Sequence, residues 1–174
     1  FKRTQSSHAL HSFRWSGRTQ TEGIWHTLSS GLDDYPRSNA SSSRADRHLD
    51  LLSWMAAMHR VLGKVATKIG EDPTPYNTYF DKLKGQVEVV HWNEETQSYA
   101  DRGFNQYAPK VIKDEFAAHH GYVSLFPLLL QLLPHGPRTE SIIRVMGDEK
   151  HLLSKAGLRS LSPLSPLSFP FSHL

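Results

Sequence analysis

Apolar residues recur at helical spacing along much of the chain. Leu51, Met55, Met58, Leu62, Val65 and Ile69 follow one another at steps of four, three, four, three and four, which is one face of a 3.6-residue helix. Ser43-Arg-Ala-Asp46 fits a capping box ahead of that run, with a serine N-cap answered by an acidic residue three positions on. Gly70 and Pro73 end the run. A second helix is predicted over residues 75–90, where Tyr76, Phe80, Leu83, Val87 and Val90 share a face, and it should pack antiparallel to the first.

Residues 121–133 are apolar almost all round, so a third helix there should be buried by neighbours, with Pro127 tolerated early in it. A shorter helix is expected over 139–146, after the breakers Pro134, Gly136 and Pro137, and Gly157 marks a later turn. The remaining stretches break period. Residues 1–30 read as irregular loop, and 31–36 as a constrained turn in which Pro36 keeps Tyr35 out of the helical region. Trp92, Tyr99 and Gly103 surround a polar centre and predict a short hairpin or ordered loop over 91–103. Residues 161–174 are a near repeat of Leu-Ser-Pro and Leu-Ser-Phe, expected to form no packed element and set apart as a divergent low-complexity tail. The pattern as a whole is one of helical hairpins.

With 174 residues, 38% hydrophobic and 10% aromatic, the chain holds enough for a core as one domain or part of a larger one. The net charge of +3 comes from 20 Lys and Arg scattered among 17 Asp and Glu, without the basic stripe of a nucleic-acid binder. No cysteine is present, which excludes disulfides and thiolate zinc sites. The longest apolar stretch, over 122–133, falls short of the ~20 residues that span a bilayer, and no signal pattern opens the sequence, so neither address nor anchor is expected in this piece.

Three groups of residues suit chemistry. Asp33 and Asp34 share a tight turn beside aromatics, and glycoside hydrolysis needs one protonated carboxyl and a second carboxylate; Asp pairs in turns also serve as Asx-turn formers or helix caps. Asp46, Asp50 and Trp54 stand at i, i+4 and i+8, a stripe offset from the apolar face, where the two like charges call for a positive or hydroxyl-rich partner. Equally, Asp46 closes the capping box, Asp50 is solvated and Trp54 is core. Phe13, Arg14, Trp15, Gly17 and Arg18 combine flat aromatics with forked donors, as sugar binding requires, although such a loop also suits a core cover or a peptide. The pairs His8 with His11 and His119 with His120 lack acidic or cysteine partners at ligand spacing, so no metal is expected. No phosphate-binding glycine loop or nucleophile elbow occurs.

Residues 30–37, Ser-Gly-Leu-Asp-Asp-Tyr-Pro-Arg, resemble the signature of glycoside hydrolase family 63, the mannosyl-oligosaccharide glucosidases. Residues 46–54 resemble the family's Glu-Arg-His-x-Asp-Leu-x-x-Trp segment at the family's distance from the first motif. Residues 13–18, 121–130 and 157–160 resemble further family segments, in family order. The resemblance implies an all-α chain, an incomplete fragment of an (α/α)6 toroid of the six-hairpin glycosidase type, with residues 1–160 a partial catalytic domain. About four of a dozen helices would be present. A Leu-rich face over 125–133 would then lie uncovered and make the isolated chain poorly soluble.

By the same resemblance the reaction is removal of the terminal α-1,2-linked glucose from the N-glycan precursor Glc3Man9GlcNAc2, by inversion, in the endoplasmic reticulum lumen. Asp33 is implied as general acid and Asp34 as support for the loop. Phe13, Trp15, Arg18, Asp34, Tyr35, Arg37, Asp46, Arg47, Asp50 and Trp54 are implied at the substrate site, with Arg47 and Asp50 shaping the glucose subsite. Asp46 stands where the family has glutamate, and Ser16 where it has arginine, which leaves subsite affinity open. The second catalytic carboxylate, a glutamate, and the membrane anchor are expected outside this piece, so the piece alone should be inactive. No cofactor and no nucleic acid are expected; the partner is the glucosylated oligosaccharide. Asn39-Ala-Ser41 is a glycosylation sequon consistent with a lumenal loop. The alternatives are a truncated noncatalytic protein that binds glycans through Trp15, Arg47 and Asp50, a helical scaffold for protein partners, and a bacterial-type relative acting on other α-glucosides.

Overall fold

The computed structural model describes residues 5–6, 12–17, 20–21, 24–25, 27–32, 35–37, 45–105 and 113–165. Near the start, the two-residue strands β1 (Gln20–Thr21) and β2 (Ile24–Trp25) pair antiparallel, and a 3-10 turn follows at Leu28–Ser30. The dominant feature is the hairpin of α1 (Leu49–Ile69) and α2 (Thr74–Val90). Gly63 of α1 lies beside Asn77, and His59 stacks at 4.6 Å on Tyr79, so the two helices run antiparallel. Gly70, at a left-handed φ of 77° that most side chains avoid, ends α1 by donating to the Ala66 and Thr67 carbonyls.

The start of α1 differs from the capping-box expectation. His48 is the N-cap, in extended conformation, Asp46 lies before the helix, and Ser43 and Arg44 fall outside the described residues. The stripe of Asp46, Asp50 and Trp54 therefore does not exist as a helical stripe. The first turns of α1 are buried through Leu49, Leu51, Leu52, Met55 and Ala56, with Trp54 exposed, whereas the later turns bury only Gly63 and Ala66. Met58, Leu62, Val65 and Ile69, on the face expected to be core, are exposed, because α2 covers the neighbouring side that carries His59 and Gly63. On α2, Leu83, Val87 and Val90 are buried as the spacing predicts, while Tyr76 is exposed.

After α2, strands β3 (Trp92–Asn93) and β4 (Ser98–Tyr99) form the expected hairpin. A second hairpin, β5 (Arg102–Asn105) with β6 (Lys113–Phe116), carried no periodic signal. Helix α3 (Tyr122–Leu129) is shorter than the apolar run. Gln131 takes a left-handed φ of 53°, and Leu132 donates back to the Pro127 carbonyl, which closes the helix as a Schellman-type end. Leu125 and Leu132 are buried and only Leu129 of that stretch is strongly exposed, so the uncovered apolar surface lies on α1 instead.

Helix α4 (Pro137–Gly147) starts with Pro137 in its first turn, where the missing N–H costs nothing. Strands β7 (Leu153–Ser154) and β8 (Gly157–Leu158) close the regular part at the Gly157 turn. Leu161 then bridges to Gly121, and Ser162 and Ser165 are buried against His120, so the beginning of the Leu-Ser-Pro stretch does pack, though without a regular element. Residues 166–174 lie outside the described residues. The chain is all-α in class, with four helices and short two-stranded hairpins among the described residues, as a partial toroid requires. No helix among those residues is long and apolar enough to cross a membrane.

Candidate functional site

The N-terminus of α1 is where distant segments meet. Phe13 accepts the His48 backbone N–H at 2.8 Å, Arg47 and Arg102 exchange backbone bonds at 2.8 and 3.0 Å, and Ala117 donates to the Asp101 carbonyl at 2.8 Å. Four stretches of chain are thereby laced side by side around one helix end. His48 takes part by side chain as well: its Nδ1 accepts the Trp15 N–H at 2.9 Å, which leaves the proton on Nε2. Burial, and then Arg37, Arg14 and His91, hold its pKa well below 6.5, so His48 stays neutral.

At the centre is a buried cluster of one guanidinium and two carboxylates. Arg37 donates to Asp50 from both Nη1 (2.9 Å) and Nη2 (2.6 Å), and Nη1 also donates to Asp101 Oδ2 at 3.1 Å. Asp50 Oδ2 accepts the Trp15 indole N–H at 3.0 Å. Asp101 Oδ1 accepts the Leu49 backbone N–H at 2.7 Å, satisfying one of the orphan donors at the start of α1. All three ionised groups are less than a tenth exposed. Burial lifts the Asp101 carboxyl to about 6, with Arg37 pulling it down and Asp50 pushing it further up.

Leading into that cluster, Gly31 takes a left-handed φ of 73°, Leu32 N–H bonds Ser30 Oγ, and Tyr35 N–H donates to the Leu32 carbonyl at 3.1 Å. The chain ends on either side of residues 33–34 are thus held together. Tyr35 packs its ring beside Gly121, where a Cβ would come within 2.8 Å of it, and burial raises its phenol above the ordinary range. Two residues later Arg37 is locked to Asp50 and Asp101. Asp33 and Asp34 themselves lie outside the described residues, as do Arg18 and Asn39.

The other predicted site residues separate by environment. Trp15 and Asp50 join the cluster around Arg37. Phe13 is 2% exposed in the hydrophobic core, so it reaches the site through its backbone. Asp46 is buried with Arg14 3.9 Å away. Arg47 pairs with Asp114, which also meets Arg102 at 3.3 Å. Trp54, which the core reading would bury, is half exposed, with Phe126 edge-on at 5.9 Å. Asp101 was missed by sequence reasoning: it sits in a stretch between two short hairpins with no pattern to single it out. Among the described residues no group of three His, Asp or Glu side chains could hold a metal ion.

The model of the glycosyl hydrolase family 63 C-terminal domain matches residues 1–170. The chain is 39% identical over 156 residues to a probable mannosyl-oligosaccharide glucosidase of Schizosaccharomyces pombe, covering 88% of this chain and 18% of that protein. It is 33% identical over 158 residues to the mannosyl-oligosaccharide glucosidase of Saccharomyces cerevisiae, covering 89% and 18%. With the mannosyl-oligosaccharide glucosidase GCS1 of Arabidopsis thaliana it shares 28% over 200 residues, covering 96% and 23%. The chain therefore spans about a fifth of the length of the curated relatives it matches. With a family match over nearly its whole length, this chain belongs to glycosyl hydrolase family 63, as part of the C-terminal domain.

Proposed function

We propose that the protein carrying this chain removes the terminal α-1,2-linked glucose from Glc3Man9GlcNAc2 in the endoplasmic reticulum lumen, held to the membrane by an anchor outside these residues. The observation that carries the reading is the meeting of Trp15, Arg37 and Asp50 in one buried cluster. They come from the three segments, 13–18, 30–37 and 46–54, that resemble the family in the sequence. The cluster fixes the end of the turn that bears Asp33.

In this reading Asp33 is the general acid that protonates the leaving oxygen, and Asp34 supports the loop. A glutamate from the domain beyond these residues activates water on the opposite face, at a carboxyl separation of ~6.5 to 9.5 Å that admits the water. The reaction inverts the anomeric centre. Asp50 shapes the glucose subsite by holding the Trp15 indole and Arg37, and Arg47 lines it from the neighbouring turn. Trp54 offers the exposed aromatic face on which a sugar stacks. Arg18, Tyr35 and Asp46 complete the substrate surroundings, and Phe13 supports them from the core. The 174 residues alone hydrolyse nothing, because acid and base come from separate parts of the domain.

The test is glucose release from the triglucosylated oligosaccharide by the complete protein, followed by proton NMR. Glucose should appear first as the β-anomer, and Asp33→Asn should lower kcat by about 10²- to 10⁴-fold, the usual contribution of a general acid. An unaffected kcat in Asp33→Asn, or α-glucose as the first product, overturns the assignment.

A further inference from the structure

We propose that Asp101 is a positioning residue for the reaction: it aims the Arg37 guanidinium and so sets where the turn bearing Asp33 is held. The inference rests on the catalytic reading of Asp33. It starts from an imbalance of charge. Asp50 alone neutralises Arg37 and binds it in the two-pronged geometry that suits a guanidinium, at 2.6 and 2.9 Å. Asp101 adds a second buried carboxylate, 3% exposed, to a cation that already has its partner. A surplus buried charge is a poor device for stability, since removing it from water costs more than a shared contact returns.

What Asp101 supplies is direction. One of its oxygens is fixed by the Leu49 N–H at 2.7 Å, at the positive end of α1, and the other takes Arg37 Nη1 at 3.1 Å. The guanidinium is therefore oriented by two carboxylates on different elements, and can neither swing about Asp50 nor slide along α1. From Arg37 the constraint passes back along a short path. Pro36 has a fixed φ, Tyr35 is wedged beside Gly121, and the Tyr35 N–H holds the Leu32 carbonyl. Three residues separate Arg37 from Asp33, ~14 Å of chain at full extension, and the contacts of Tyr35 and the ring of Pro36 stiffen the part next to Arg37. Displacing a catalytic group by about 1 Å can cost 10²-fold in rate, so release of Arg37 should register at the chemistry.

Asp101→Asn separates the two duties of the side chain. The amide oxygen still accepts from Leu49, but the amide NH2 then faces Arg37 Nη1, donor against donor. In the complete protein acting on the triglucosylated oligosaccharide, this variant should lower kcat by about 10- to 100-fold with KM changed less than about threefold. Its thermal midpoint should move little, because loss of the buried surplus charge is offset by the donor-against-donor contact. Val87→Ala, in the α2 core and away from the cluster, should instead lower the midpoint and leave kcat alone.

If Asp101→Asn keeps the wild-type kcat while Asp33→Asn is inactive, the positioning role falls and the catalytic reading stands. If Asp33→Asn retains full activity, both fall. Should Asp101→Asn fail to accumulate folded, Asp101→Glu replaces it, keeping the charge but placing the carboxylate one methylene further out. A comparable drop in kcat then supports the role, and an unchanged kcat overturns it.

Discussion

Replacing His91 by glutamine removes a titrating ring from the core while keeping a donor for its hydrogen bond. His91 is fully buried, and its Nδ1–H donates to the Ala100 carbonyl at 2.8 Å, which leaves Nε2 as the site for a second proton. Burial lowers its pKa from 6.5 to about 4; the bond to Ala100 works against the shift, Arg47 and Arg102 add to it, and Asp114 opposes it. Below pH 6.5 the unfolded chain takes up a proton that the folded chain refuses until about pH 4. The group's stabilising contribution is therefore complete above 6.5 and is lost as the pH falls through that window. By pH 4.5 the linked loss is about 2.5 kcal/mol.

Two neighbours modify the overall profile. His48 loses stability in the same direction, for the same reason. Asp101, lifted from 3.8 to about 6, acts oppositely: its buried charge costs stability above 6, and that cost is relieved as the pH falls towards 3.8. The wild-type profile is thus flatter than His91 alone dictates, and the difference between variant and wild type isolates His91. Thermal unfolding of the complete protein at pH 7 and 4.5, at constant ionic strength, reads that difference. His91→Gln should be the less stable protein at pH 7, and the gap should close or reverse by about 2.5 kcal/mol at pH 4.5. Parallel profiles would refute the reasoning, because they would mean that His91 titrates alike in both states.

Gly121→Ala should lower stability by about 1 to 3 kcal/mol by the cost of overpacking. Its Cβ would clash with the Ser160 backbone carbonyl and come within 2.8 Å of Tyr35, and neither can simply turn aside; a wild-type thermal midpoint would contradict this. Gly63→Ala is the contrast, since its closest neighbour is the end of the Asn77 side chain, which can rotate away, so urea titration should find it neutral or stabilised by up to about 1 kcal/mol. Gly70→Ala should cost about 1 kcal/mol in the same titration, because φ at the α1 C-cap is 77° and the space around it is open, leaving backbone strain as the sole penalty.

The helical hairpin was legible because its signal is local. A repeat at steps of three and four, stopped by Gly70 and Pro73, defines a helix wherever it is placed, and α1, α2 and the short turn between them follow from it. The turn at residues 30–37 and the aromatic-arginine segment at 13–18 were also visible, as motifs. Which face of a helix is covered is not a local property. Met58, Leu62, Val65 and Ile69 satisfy the apolar period yet face outward, since α2 packs on the side of His59 and Gly63, where the missing side chain allows close approach. The start of α1 was misplaced for a related reason. Ser43 and Asp46 offer a cap in sequence, but a buried helix end takes whichever acceptor the fold delivers, and here it is Asp101, 52 residues from Leu49.

The candidate site divides in the same way. Chemistry that resides in a motif, such as paired aspartates in a proline turn or an arginine at its end, is present in the order of residues and needs no coordinates. The partners that give the motif its geometry are brought in by the tertiary fold. Asp101 lies in chain without period or motif, and its part in the cluster depends on strands β3 to β6 carrying it back to the N-terminus of α1. The sequence by itself determined the helices and the residue types available for acid, sugar and charge contacts, because spacing and side-chain chemistry are properties of the chain. Only the tertiary structure decided which of them meet, because a buried charge or helix end is satisfied by whatever group lies within about 3 Å in space, however distant it is along the chain.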